Sequence, residues 1–317
     1  TAQLSQRLLI FKGDGSTAAS PQILPIQGGY DIYSAVNPAV GDVDRNGIPD
    51  LVMVSGDRRL RVYTNYNANA NPAMEEWIVS PDLVDNRNRK PYLADFNGDG
   101  ISEIYVGEDV YQFDFSLPIP TLRKELSGGS SAGLNYYDGY GQPNCSPVAV
   151  DLLEPQHCNG DLDCNGLELV AGNIIYSVDL FNNDGDGFQI KIQRNLNIMQ
   201  NQNFYLDGYT SVADLNLDGI LDVVVSSGRD NDEGIYVWDR NGLLGWFEHQ
   251  PPPLNALRSG ALPCVANVYD DTQAGALIDY PEIIVSSQGF LNCYSLNADA
   301  LGQPDGAWWI INTTDFS

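Results

Sequence analysis

Short β-branched apolar runs, bounded by Gly and Asp, recur along this chain and read as buried strands rather than helices. Runs at 38–40, 91–94, 147–150, 211–213 and 264–266 each precede a polar loop, and runs at 51–54, 104–106, 169–171, 223–225 and 283–285 each follow one. A third run comes next in every case, at 60–63, 110–113, 174–178, 235–238 and 290–294. A fourth is visible at 76–79, 244–247 and 308–311, and Asn241-Gly242 supplies a two-residue hairpin turn ahead of the second of these. Four strands per unit, five times over, predict an all-β chain: a β-propeller of four-stranded antiparallel blades. Residues 8–11 and 22–26 read as the third and fourth strands of a partial blade. The predicted organisation is one propeller domain over 1–317. It consists of a partial blade at 1–34 and repeats at 35–87, 88–143, 144–206, 207–259 and 260–317, in a ring of six or seven blades.

The loops carry the chemistry. Three align without gaps: Asp42 to Asp50, Asp95 to Glu103 and Asp214 to Asp222. Each has an acid at position 1, Asp or Asn at 3 and 5, Gly at 6, Ile at 7 and an acid at 9. Side chains at 1, 3 and 5 of a tight loop turn to one side, Gly at 6 allows the reversal, and the acid at 9 closes the cage. Calcium takes six to eight oxygen ligands of this kind. The expected ligands are Asp42, Asp44, Asn46, the Ile48 carbonyl and Asp50; Asp95, Asn97, Asp99, the Ile101 carbonyl and Glu103; and Asp214, Asn216, Asp218, the Ile220 carbonyl and Asp222. The Ile side chains are left free to pack. An EF-hand is excluded, because its position-12 Glu is replaced here by Met53, Val106 and Val225 within strands.

Two looser copies fill the gaps in the series, whose starts at 42, 95, 151, 214 and 267 are 53 to 63 residues apart. The copy from Asp151 runs through Asp161, Asp163, Asn165 and Glu168 with altered spacing, and would make a fourth calcium site if it binds. The copy from Asn267 through Asp270 and Asp271 to Glu282 has lost most ligands and is expected not to bind. The segment 182–187 is expected to be a plain hairpin turn.

Charge changes the picture next. The 42 acids against 16 bases leave a formal net charge of −26, which sets nucleic acid and anionic lipid aside as partners. No apolar stretch is long enough to span a membrane. The N-terminus lacks the regions of a signal peptide, an expectation of either a removed signal or a piece of a larger chain. Of the five cysteines, Cys158 and Cys164 flank a short turn that a disulfide would close, fitting an oxidising compartment. His157 and His249 have no evident partner motif.

At the three intact loops the sequence resembles the FG-GAP/VCBS repeats of the integrin α-subunit propeller and of large secreted surface proteins of Bacteroidota. The resemblance implies a seven-bladed ring with calcium at several hairpins; this chain shows fewer repeats and lacks clear Phe-Gly and Gly-Ala-Pro signatures. It further implies an extracellular or cell-surface adhesion, binding or scaffold module. Its partner would be a protein or glycan ligand, or neighbouring modules of a larger surface protein. The tyrosine-rich segment 134–140 is a candidate contact loop. A polysaccharide lyase or hydrolase and a glycan-binding lectin are the alternatives, and no catalytic residues are assigned.

Overall fold

The computed structural model describes residues 8–10, 22–24, 37–64, 78–84, 90–106, 109–114, 121–127, 146–154, 166–172, 174–180, 190–195, 209–227, 234–239, 242–248, 262–268, 272, 278–287, 290–296 and 307–312. Among them are twenty-two strands and no α-helix. Among these residues the fold is all-β, built of small antiparallel sheets, five of them four-stranded.

Each of five sheets is a simple meander. The strands β3 (Ala39–Gly41), β4 (Asp50–Val54), β5 (Arg59–Tyr63) and β6 (Ile78–Leu83) pair in that order. So do β7 (Tyr92–Ala94), β8 (Glu103–Val106), β9 (Asp109–Asp114) and β10 (Thr121–Ser127). The third sheet holds β11 (Val148–Val150), β12 (Glu168–Ala171), β13 (Ile174–Val178) and β14 (Ile190–Asn195). The fourth holds β15 (Tyr209–Ala213), β16 (Asp222–Ser227), β17 (Gly234–Asp239) and β18 (Gly242–Glu248). The fifth holds β19 (Cys264–Ala266), β20 (Glu282–Ser287), β21 (Phe290–Tyr294) and β22 (Ala307–Asn312). Ahead of them, β1 (Leu8–Ile10) and β2 (Gln22–Leu24) form a two-stranded antiparallel sheet. All five large sheets slip register between the third and fourth strands. Such bulges increase local twist and make an edge strand a poor template for pairing with another chain.

The chain divides into two compact units, Thr1–Gly128 and Gly129–Ser317. In the first, Val52, Val54, Leu60 and Val62 pack with Ile104, Val106, Tyr111 and Phe113, so two successive sheets share one core. In the second, strand periodicity does the same twice over. Val223 and Val225 join a core with Val170 and Ile175 of the third sheet, whereas Val224 between them joins one with Ile283 and Val285 of the fifth. Successive side chains of a strand point to opposite faces, so the apolar run of β16 serves a neighbour on each side.

Gly41 ends β3 where a first strand meets the next: a Cβ there would lie 2.6 Å from Leu93 Cδ1 on β7. Gly41→Val is therefore expected to lower stability by about 1–3 kcal/mol through overpacking, read as a fall in denaturation midpoint at unchanged slope.

Candidate metal centre

The three intact loops join the first strand of a sheet to the second, and each is ordered by the same short-range bonds. Asp42 at position 1 accepts from the N–H groups of Asn46 (3.1 Å) and Gly47 (2.8 Å). Asp95 accepts from Asp99 (3.0 Å) and Gly100 (2.8 Å), and Asp214 from Asp218 (3.1 Å) and Gly219 (2.9 Å). Positions 3 and 5 each accept from the N–H two residues on, as in Asn97 to Asp99 and Asp99 to Ile101. These are Asx turns nested within one another, the local chemistry for which Asp and Asn are favoured in turns.

The backbone reverses through the left-handed region twice per loop. Gly47, Gly100 and Gly219 at position 6 have φ of 79°, 84° and 85°. Position 4 is also left-handed, yet is filled by Arg45 (φ 62°), Gly98 (φ 68°) and Leu217 (φ 58°). Two of these three carry a Cβ in a conformation that disfavours one, so composition gave no sign of this second reversal.

The acid at position 9 is the anchor. Asp50, Glu103 and Asp222 have no exposed surface. One oxygen of each caps the N–H of position 2: Asp50 to Val43 (2.9 Å), Glu103 to Phe96 (2.9 Å) and Asp222 to Leu215 (2.8 Å). The same clamp holds the looser loops, where Glu168 accepts from Leu152 (2.7 Å) and Leu153 (2.9 Å), and Glu282 from Val268 (2.8 Å). In the intact loops position 2 lies in the core, with Val43 and Leu215 fully buried, whereas Val268 of the fifth loop is exposed despite the same clamp. The clamp recurs in the loop that lost its other ligands, so the closing acid has a structural duty of its own. Nothing in the spacing pointed to it.

The other oxygen of that acid is the informative one. Asp50 Oδ1, Asp222 Oδ1 and Glu168 Oε1 are buried without a hydrogen-bond partner. An unpaired buried carboxylate oxygen is costly, and a bound cation or water would satisfy it. Burial, followed by the charges of Asp44 and Asp42, pushes Asp50 up to about 6 against the pull of the Val43 N–H. Burial likewise takes Asp222 to about 6, with Asp218 and Asp214 adding to it. Glu103 and Glu168 are raised to about 7, again mainly by burial. In the first loop Asp42, Asp44 and Asp50 bring carboxylate oxygens within 4.8 Å of one another. In the second and fourth loops Asn97 and Asn216 take position 3, between the acids at 1 and 5.

The side chains at position 7 differ between loops. Ile101 packs, at 6% exposure, but Ile48 is 44% exposed. The tip of the first loop stands clear of the core, so that isoleucine contributes no packing there. In the third loop Asp151 is exposed and Glu168 buried, while Asp161, Asp163 and Asn165 lie outside the described residues. The same holds for segments 134–140 and 182–187, for Cys158 and Cys164, for His157 and His249, and for Asp270 and Asp271 of the fifth loop. There, Asn267 Nδ2 donates to Asp279 (2.8 Å).

No curated protein matches the chain. Among solved structures it is similar to the V. cholerae biofilm matrix protein Bap1, at 14% identity and a TM-score of 0.43, over 89% of this chain and 40% of that one. It is also similar to BBS1N in complex with ARL6DN, soaked with lead, at 14% identity and a TM-score of 0.41, over 86% of this chain and 68% of that one. The chain thus spans less than half the length of the Bap1 structure. Residues 42–106, which hold the first two loops whole, match the model of the FG-GAP-like repeat.

Proposed function

We propose that the loops at 42–50, 95–103 and 214–222 bind calcium, and that the bound ions stiffen an extracellular β-repeat module used for adhesion or binding. The observation that carries this is the pair of buried, partnerless oxygens Asp50 Oδ1 and Asp222 Oδ1, each at the closing position of an oxygen-rich loop. The residues present fit a hard cation: carboxylates and an amide at positions 1, 3, 5 and 9, preset by backbone hydrogen bonds before any ion arrives. A bound calcium would supply positive charge where three acids otherwise repel, and would tie the first strand of a blade to the second.

The match to the repeat family supports an extracellular setting, where millimolar calcium suits loops of this kind. Binding rather than catalysis is proposed because the buried acids of the loops are already committed to backbone clamps and to the ion. The partner class is a protein or glycan at the cell surface, or adjoining modules of a larger chain.

Calorimetric titration of the metal-free chain with calcium chloride tests the metal assignment. Saturable binding at micromolar to millimolar calcium is expected, with one site lost on Asp222→Ala. Binding that is undiminished by substitutions at Asp50 and Asp222 would refute it.

A further inference from the structure

The intact loops are not equivalent, and much of the difference comes from residues outside the ligand pattern. In the first and fourth loops the second oxygen of the closing acid is buried and unpartnered. In the second loop that place is filled: Glu103 Oε1 accepts from Gln112 Nε2 at 3.1 Å and from Asn97 Nδ2 at 3.3 Å. Gln112 stands on β9, nine residues beyond Glu103. The same loop is touched by a cation from its neighbour. Arg45, at position 4 of the first loop, donates to the Asp99 carbonyl and lies 3.5 Å from Asp99 Oδ1. Asp99 is position 5 of the second loop. The residues matching Arg45 in the second and fourth loops are Gly98 and Leu217, which carry no charge.

We infer that Arg45 and Gln112 make the second loop a weaker calcium site than the first and fourth, so that the chain fills in two steps as calcium rises. The inference rests on the calcium reading above and deepens it. Two effects act in the same direction. Where a buried oxygen is orphaned, an arriving ion relieves a desolvation penalty; where Gln112 already satisfies that oxygen, less is gained. Affinity in such loops also follows the charge of the ligand set. A guanidinium beside one ligand carboxylate offsets part of that charge, and in a solvent-exposed setting this lowers affinity by about tenfold. Arg45 is half exposed, so the difference between loops shrinks as salt screens it. The second loop would then respond to a rise in calcium that the other two, already filled, no longer sense.

Calorimetric titration of the whole chain with calcium chloride is the test, read as classes of sites. The expected isotherm has a tighter class and a weaker one separated by about tenfold, the gap narrowing between low and high salt. Asp95→Asn should remove the weaker class alone. Arg45→Gln and Gln112→Leu, made separately so that one misfolded variant does not decide the matter, should each tighten the weaker class and leave the tighter one in place. A single class of equal sites, a weaker class unmoved by both substitutions, or loss of a tight site in Asp95→Asn would overturn the inference while leaving calcium binding intact. Complete absence of calcium binding would overturn the calcium reading, and the inference with it.

Discussion

Stripping calcium from the folded chain is expected to lower its melting temperature by roughly 10 °C. Binding only to the folded state at 100 times Kd contributes about 2.7 kcal/mol per site. For a chain of this length each kcal/mol moves the midpoint by about 1.5–2 °C. The loss should be largest where the closing acid is orphaned, so Asp50→Ala and Asp222→Ala should each remove much of the calcium response. These variants also delete the cap on Val43 or Leu215 N–H, and so should melt lower even in chelator. Asp50→Asn and Asp222→Asn separate the two duties: the amide oxygen can still accept from the backbone while the charge needed by the ion is gone. Scanning calorimetry with and without chelator checks both. A midpoint indifferent to calcium in the wild-type chain would contradict the expectation.

The second large effect is on pH. Folding raises Asp50 and Asp222 to about 6, and Glu103 and Glu168 to about 7, from ordinary carboxylate values near 4. Between those limits the folded state holds more protons than the unfolded one. The metal-free chain should therefore be most stable near pH 4–5, lose stability as pH rises through 6 to 7, and level off above that. Calcium is expected to reverse the trend, because a bound ion would compete with protons for the same oxygens and bind more tightly as they ionise. Melting curves in metal-free buffer from pH 4.5 to 8 should descend, and the separation between calcium-loaded and metal-free midpoints should widen over the same window. A metal-free midpoint that climbs through that range would show that these carboxylates are not buried and crowded as described.

Much of the fold was legible in the sequence because its signals are local and repeated. Asp, Asn and Gly at fixed offsets mark the reversals, and β-branched runs on either side mark strands buried on both faces, as β16 shows with its three valines. The outermost strands were harder. β10 and β14 give no such signal, since Thr-Leu-Arg-Lys-Glu-Leu-Ser and Ile-Lys-Ile-Gln-Arg-Asn carry too much charge to read as buried runs. Edge strands tolerate such charge because only one side is paired. At the site, the residue types marked the loops, and in the first of them the three acids whose oxygens gather, but not how the two oxygens of each closing acid divide their work. The clamp onto position 2, the left-handed turn at Arg45 and Leu217, and the reach of Gln112 to Glu103 depend on three-dimensional placement, for which residue type carries no fixed signature.

The most direct test is a crystal structure grown in calcium, with anomalous difference density measured at a wavelength where calcium scatters. Peaks enclosed by Asp42, Asp44, Asn46 and Asp50, and by Asp214, Asn216, Asp218 and Asp222, with Asp50 Oδ1 and Asp222 Oδ1 turned onto the ion, are the predicted result. Well-ordered loops holding only water among those oxygens at millimolar calcium would contradict it.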